Sequence, residues 1–316
     1  MRLFSFICFI YKTNIYMSEK ETNKIKKQLI ESFNKIIFDE PNHKYYVDSI
    51  ELISTTTSLK SFYEEFDTER MSELSAQKYN RLNPNKPKKT AEWFKREWRK
   101  KQKEASGRGT RVHLYAEQFP NLVEPICNQE KGIEEWFNNL DKKYIVLFSE
   151  FRMYDLKIKK AGTADLILLN TETGKLVIGD WKTNNTNIFQ VYAKKKLKTP
   201  FNVMYDNSYN KYCLQLSLYQ LMIETNTPFE VEDNWLIWLK EGDHNVLEED
   251  KDPKYYTIEN VKCDKEGSYY KQFSLPTYKE LLKENHTAKK KVKKKLTSQK
   301  MGAKLKKEIF TKTKKK

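Results

Sequence analysis

Cysteine is scarce and poorly placed for chemistry. The 316 residues hold four, Cys8, Cys127, Cys213 and Cys263, widely spaced and with none in a CxxC pair. That spacing argues against a zinc ribbon and an iron–sulfur cluster, and leaves the reduced thiols of an intracellular protein as the expectation. Glycine and proline are few, nine of each, and no Pro/Gly-rich linker or internal repeat divides the middle of the chain. Long apolar runs are missing as well. Residues 3–11, LFSFICFIY, are too short to span a bilayer. Arg2 precedes them like the start of a signal peptide, yet no small-residue cleavage site follows. Met17 is followed by SEKETNKIKK, an ordinary soluble start. Translation is therefore expected to begin at Met17, with residues 1–16 an upstream extension and no stable membrane association. A membrane anchor in residues 3–11 is the competing reading.

Acidic charge is also short, with 43 Asp and Glu against 59 Lys and Arg and a net charge of +16. An excess of this size points to an anionic partner, nucleic acid first and a membrane surface second. Most of it is local. Residues 288–316 hold fourteen lysines and one acid, Glu308, which is +13 of the +16. The rest is only mildly basic. The tail, taken as residues 286–316, lacks the apolar residues to pack on its own and reads as a flexible basic segment. Its lysines suit non-specific nucleic-acid binding, localisation or solubility equally.

What is present is enough apolar and aromatic residue, 38% and 13%, for a sizeable core. Residues 20–37 have helical spacing through Ile25, Leu29, Ile30, Phe33 and Ile37. A hairpin follows, 44–47 and 51–53, turning at Asp48-Ser49. Ser54 to Thr57 can cap a helix running through Leu59, Phe62, Tyr63 and Phe66. Residues 82–104 are dense in Lys and Arg interleaved with Trp93, Phe94 and Trp98. Helical spacing runs over 91–119, where Gly107 and Gly109 leave a kink or a break into two helices open. A shorter helix is expected over 133–143. Strand character follows at 146–154, 162–169 and 175–182 with short turns, as in an antiparallel or mixed meander. A helix over 207–224, strands at 234–239 and 255–261, and a helix from 278 to 284 complete the pattern. The division expected is 17–104, helical and hairpin, followed by a core over 105–285.

The candidate chemistry lies in Gly162-Thr-Ala-Asp165 and Gly179-Asp180-Trp181-Lys182. Strand side chains alternate, so Asp180 and Lys182 share a face and Trp181 takes the other. If the two strands pair through NTETG, Asp165 and Asp180 approach at one edge of the sheet. Two carboxylates there repel and are costly to desolvate unless a cation lies between them. A hard divalent ion such as Mg²⁺ takes oxygen ligands, binds a phosphate oxygen and acidifies a bound water. Lys182 beside it can steady developing negative charge. A lone Asp-x-Lys on a strand is ordinarily a solvated face. Here the order of glycine turn, Asp, apolar LILLN, tight turn, apolar KLVIG and Asp-x-Lys is far less generic.

GTAD followed by VIGDWKT resembles the PD-(D/E)XK nuclease superfamily, in particular its RecB-like exonuclease branch. Gly109-Thr-Arg-Val-His113 with Glu117, Ser149-Glu150, and YCLQLSLYQ with Tyr212, Gln215 and Tyr219 resemble further motifs of that branch. The resemblance covers roughly residues 105–240 and, more weakly, 44–59. It implies an α/β fold with a restriction-endonuclease-like core, a central mixed β-sheet flanked by helices, here with a helical N-terminal extension. It implies a Mg²⁺- or Mn²⁺-dependent deoxyribonuclease, in first place an exonuclease of DNA replication, recombination or repair, with no small-molecule cofactor. By position it makes Asp165 and Asp180 metal ligands, the Trp181 carbonyl a third, and His113 a further ligand or orienting group. It makes Lys182 the catalytic lysine and Glu117, Glu150, Gln215 and Tyr219 supporting residues. The absence of a cysteine cluster sets the chain apart from the iron–sulfur members. Lys95, Arg96, Arg99, Arg108 and Arg111 are the candidate contacts to single- or double-stranded DNA. A non-catalytic DNA-binding scaffold of the same fold is the alternative from another class.

Overall fold

The computed structural model describes residues 17–120, 123–191, 194–239, 261–263, 268–281 and 283. The expectations for residues 1–16, for the basic tail and for most of a strand at 255–261 fall outside them. Among the described residues no helix is long and apolar enough to cross a membrane.

Among the described residues one mixed sheet of nine strands organises the fold. The helix α1 (Glu19–Phe33) opens with a Ser18–Glu21 capping box and buries Ile25, Leu29 and Phe33. It stops short of Ile37, because β-branched Ile36 and Ile37 begin a strand, β1 (Ile36–Asp39), that pairs antiparallel with β2 (Lys44–Val47). The expected hairpin is thus a three-stranded meander with β3 (Ile50–Ser54) as its last member. The helix expected through Phe66 is shorter, with α2 (Thr55–Leu59), capped by the Ser54 hydroxyl, passing into a single 3-10 turn, Lys60–Phe62.

A helical hairpin follows that charge density alone did not reveal. Its first arm, α3 (Thr68–Leu82), starts at an Asp67 cap and packs on the N-terminal half of α4 (Ala91–Glu117). Phe94 and Trp98 of α4 meet Tyr79 and Phe66 edge-on. The helix α4 runs through Gly107 and Gly109 without a break. A Cβ on Gly107 would meet nothing within 4 Å, whereas one on Gly109 would lie 3.4 Å from Thr183 Oγ1. The next helix, α5 (Asn128–Asn138), lies five residues earlier than its apolar spacing suggested.

The central strands match the expected meander. β4 (Tyr144–Asp155), β5 (Lys160–Asn170) and β6 (Leu176–Lys182) are antiparallel neighbours. α6 (Ser208–Asn226) leads to β7 (Val231–Leu239), which returns parallel to β6. β9 (Tyr270–Leu275), absent from the sequence pattern, pairs antiparallel with β7 and with β8 (Val261–Cys263). Two apolar layers cover the sheet. On one face α1 and α6 pack over Ile167, Leu169 and Ile178. On the other, Val112 and Ala116 of α4 and Ile133 and Trp136 of α5 pack over Leu166, Leu168, Trp181 and Trp235.

The sheet splits at one place. The β5–β6 ladder ends at Leu166–Gly179. Before that pair, β5 lies beside β3 through Lys160 and Ala161. Beyond it, β6 stays on β7 as far as Lys182–Trp238. Asp165 and Asp180 are the first residues past the fork.

Candidate metal centre at the strand fork

Three elements deliver ligand-type atoms to the mouth of this fork. Asp165 comes from β5, Glu150 from β4 and His113 from α4. Ser149 faces Leu166 and Phe151 faces Ala164, so Glu150 stands opposite Asp165. The Glu150 backbone is left-handed, φ 52°, which costs a non-glycine residue about 1–3 kcal/mol. β5 also changes face here. Ala164 joins the α6-side layer, whereas Leu166, two residues on, joins the α4-side layer. Regular alternation would keep them on one face. The irregularity sends both carboxylates toward α4.

His113 Nδ1 lies 3.5 Å from Asp165 Oδ2 and 3.9 Å from Glu150 Oε1. One ligand-type atom from each of the three residues falls within 4.8 Å of the others. The Asp165 charge, acting against burial, pushes the His113 imidazole up to about 10. For Asp165 burial is the largest influence and raises its pKa. The His113 charge and hydrogen bond, Lys182 and the Trp181 amide together overcome it and hold the carboxyl below its ordinary value. The Trp181 N–H donates to Asp165 Oδ2 at 2.7 Å. Trp181 therefore meets Asp165 through its amide, while its indole is buried against Trp136.

Asp180 sits on the α6 side. Its Oδ2 is paired with the Lys182 ammonium, and Gln215 Nε2 donates to Oδ1 at 3.4 Å. Burial pushes Asp180 up to about 6, with the Asp165 charge adding to it and Lys182 opposing. Burial works against the Lys182 charge, but Asp180 and Asp165 outweigh it and raise its pKa. The ammonium also lies 4.7 Å over the Tyr212 ring. Gln215 donates to the Tyr219 hydroxyl at 3.2 Å, one helical turn on.

No family model and no curated protein matches this chain. The site therefore stands on its own geometry. His113, Glu150, Asp165, Asp180, Lys182, Gln215 and Tyr219, drawn from five elements, do converge. Glu117 does not, being exposed at the end of α4, one turn past His113. The basic candidates separate too. Lys95, 17% exposed at its side chain, binds Glu69 and Glu92 and ties α3 to α4. Arg111 pairs at 2.9 Å with Glu130, whose other oxygen accepts the Ile126 amide. Arg108 is half-buried, whereas Arg96 and Arg99 are exposed on α4.

Sequence patterns gave no sign of Gln129. It is fully buried on α5, and its amide donates to the Thr183 carbonyl at 3.2 Å and the Leu239 carbonyl at 3.4 Å. Asn184 is held as well, its carbonyl by the Trp238 indole and its side chain by the Tyr212 hydroxyl. These ties pin the strand end just beyond Lys182. Their partners lie 28 to 110 residues apart, a separation at which sequence spacing carries no signal.

Proposed function

We propose that this protein is a metal-dependent nuclease that hydrolyses DNA phosphodiester bonds, an exonuclease of the PD-(D/E)XK type serving replication, recombination or repair. The observation that carries this is the meeting of His113, Glu150 and Asp165 beside the buried Asp180–Lys182 pair at the strand fork. The donor set fits a divalent ion such as Mg²⁺ or Mn²⁺, offering carboxylate oxygens and one imidazole. Asp180 Oδ2 is already paired with the Lys182 ammonium, so the ligand-type atoms that converge are those of His113, Glu150 and Asp165.

Asp165, Glu150 and His113 would hold the ion, with Asp180 on its α6 side. When bound, the ion polarises a phosphate oxygen and lowers the pKa of a coordinated water. The protein's own groups do the rest. The Trp181 amide fixes the Asp165 carboxylate. Lys182, its pKa raised, stays an ammonium at neutral pH, so it serves as a fixed positive charge beside the developing phosphorane and not as a proton acceptor. Gln215 and Tyr212 orient Asp180 and Lys182.

The test is digestion of linear DNA labelled at the 5′ or 3′ end, and of circular DNA, with Mg²⁺ or Mn²⁺ and with chelator. The expected result is metal-dependent release of labelled product from linear DNA, abolished by Asp180→Ala. Cutting that persists in Asp180→Ala, or that ignores chelation, removes the assignment.

A further inference from the structure

β4 carries a cation one ladder step from the metal centre. Arg152 lies two residues after Glu150 and pairs across the ladder with Thr163, itself two residues before Asp165. Solvent reaches the centre through His113 and Glu150, whose side chains are 30% and 31% exposed against 10% for Asp165. Arg152 is exposed as well. The three-stranded meander holds it in place. β1 runs beside β4, and the Arg152 guanidinium lies 5.2 Å over the Phe38 ring. Phe38 packs at 4.7 Å on Tyr45, whose buried hydroxyl shares a 3.0 Å hydrogen bond with Thr163. The Tyr45 phenol feels the Arg152 and Glu150 charges with opposite sign, so the three groups are neighbours. Lys95 and Arg99 are paired with Glu92, Arg111 with Glu130 and Lys182 with Asp180. By contrast, among the described residues Arg152 meets a ring and no carboxylate within ion-pair distance.

We infer, building on the nuclease reading, that Arg152 is a substrate-positioning residue that grips the DNA phosphate next to the one being cut. Two strand residues advance about 6.6 Å, close to one nucleotide of an extended sugar–phosphate chain. A phosphate held at Asp165 and Glu150 therefore brings its neighbour to Arg152. A guanidinium presents a planar fork that meets phosphate oxygens two at a time. Its seat on Phe38 already restricts the side chain, which lowers the ordering cost of such a contact. The contact is to the backbone, so it fixes the register of cutting and reads no base.

The experiment is single-turnover cleavage with Mn²⁺ by the full chain as wild type, Arg152→Gln and Arg152→Lys. The substrates are end-labelled DNAs in which one linkage at a time, stepped along from the label, is an uncharged methylphosphonate. In the wild type, a neutral linkage adjoining the cleaved one should slow cutting about 10-fold or more, the scale of a hydrogen bond to a charged group. Arg152→Gln should cut unmodified DNA slower by the same factor and should not be slowed further by that linkage. A merely structural role would not produce this cancellation. Arg152→Lys, which keeps the charge without the fork, should recover part of the loss. Equal sensitivity of wild type and Arg152→Gln to every neutral linkage, or equal rates on unmodified DNA, overturns the inference. Absence of cutting by the wild type removes the nuclease reading instead. Affinities for the same DNAs in chelator then decide the Arg152 contact, and a missing cancellation there overturns it too.

Discussion

Replacing Asp180 by Asn should make the metal-free protein more stable while removing its activity. Asp180 is 1% exposed, and burial lifts its pKa from 3.8 to about 6. A pKa raised on folding means that the fold favours the neutral acid. Asp180 therefore costs nothing below about pH 4, and its penalty grows as pH rises through about 6. About two pKa units correspond to roughly 3 kcal/mol, a net figure that already includes the attraction to Lys182. The expected gain for Asp180→Asn is about 1–3 kcal/mol at pH 8, a rise in Tm of about 2–10 °C for a domain of this size. Differential scanning calorimetry in chelator at pH 5 and pH 8 reads it, and the gap should shrink at pH 5. Added Mn²⁺ should raise the wild-type Tm more than that of the variant, since a ligand stabilises the state that binds it. A variant that melts below wild type at pH 8 in chelator, or a gap that is the same at both pH values, would refute the argument.

Other outcomes follow from the same geometry. Lys182→Met should retain metal binding and lose at least about 100-fold in single-turnover cleavage, the usual scale for losing a charge-stabilising donor. His113, pushed up to about 10, must give up a proton to become a ligand. Calorimetric metal titration at pH 7.5 in two buffers should show proton release by wild type and none by His113→Ala, with affinity lowered at least about 10-fold in the variant. Gly162→Ala would drive a methyl group against the Tyr219 ring and to 2.9 Å from Thr55 Oγ1. A loss of about 1–3 kcal/mol is expected from the urea midpoint. Gln129→Leu strips the Thr183 and Leu239 carbonyls of their donor and should cost a similar amount. It should also lower kcat more than DNA affinity, because it loosens the strand end that holds Lys182.

Much of the architecture was legible before any coordinates. Short apolar runs bounded by tight turns, such as LILLN and KLVIG, favour buried sheet by their length and flanks, and 146–154, 162–169 and 175–182 recur as β4, β5 and β6. Local capping by Ser54 set a helix start that the sequence showed, since a hydroxyl three residues from an amide needs no distant partner. Misreadings fell where local signals were mixed. Ile36 and Ile37 continue the apolar spacing of α1 yet form a strand, because β2 offers them a ladder.

By itself the sequence determined that Asp165, Asp180 and Lys182 lie near strand ends and that Asp180 and Lys182 share a face, because the two-residue strand period is a covalent fact. Only the tertiary structure decided that β5 and β6 part at Leu166–Gly179, that Glu150 turns toward His113 through a left-handed backbone, and that Gln129 anchors the strand end beyond Lys182. Those outcomes depend on packing between residues tens of positions apart, where the free energy of one contact is set by every neighbour that buries it.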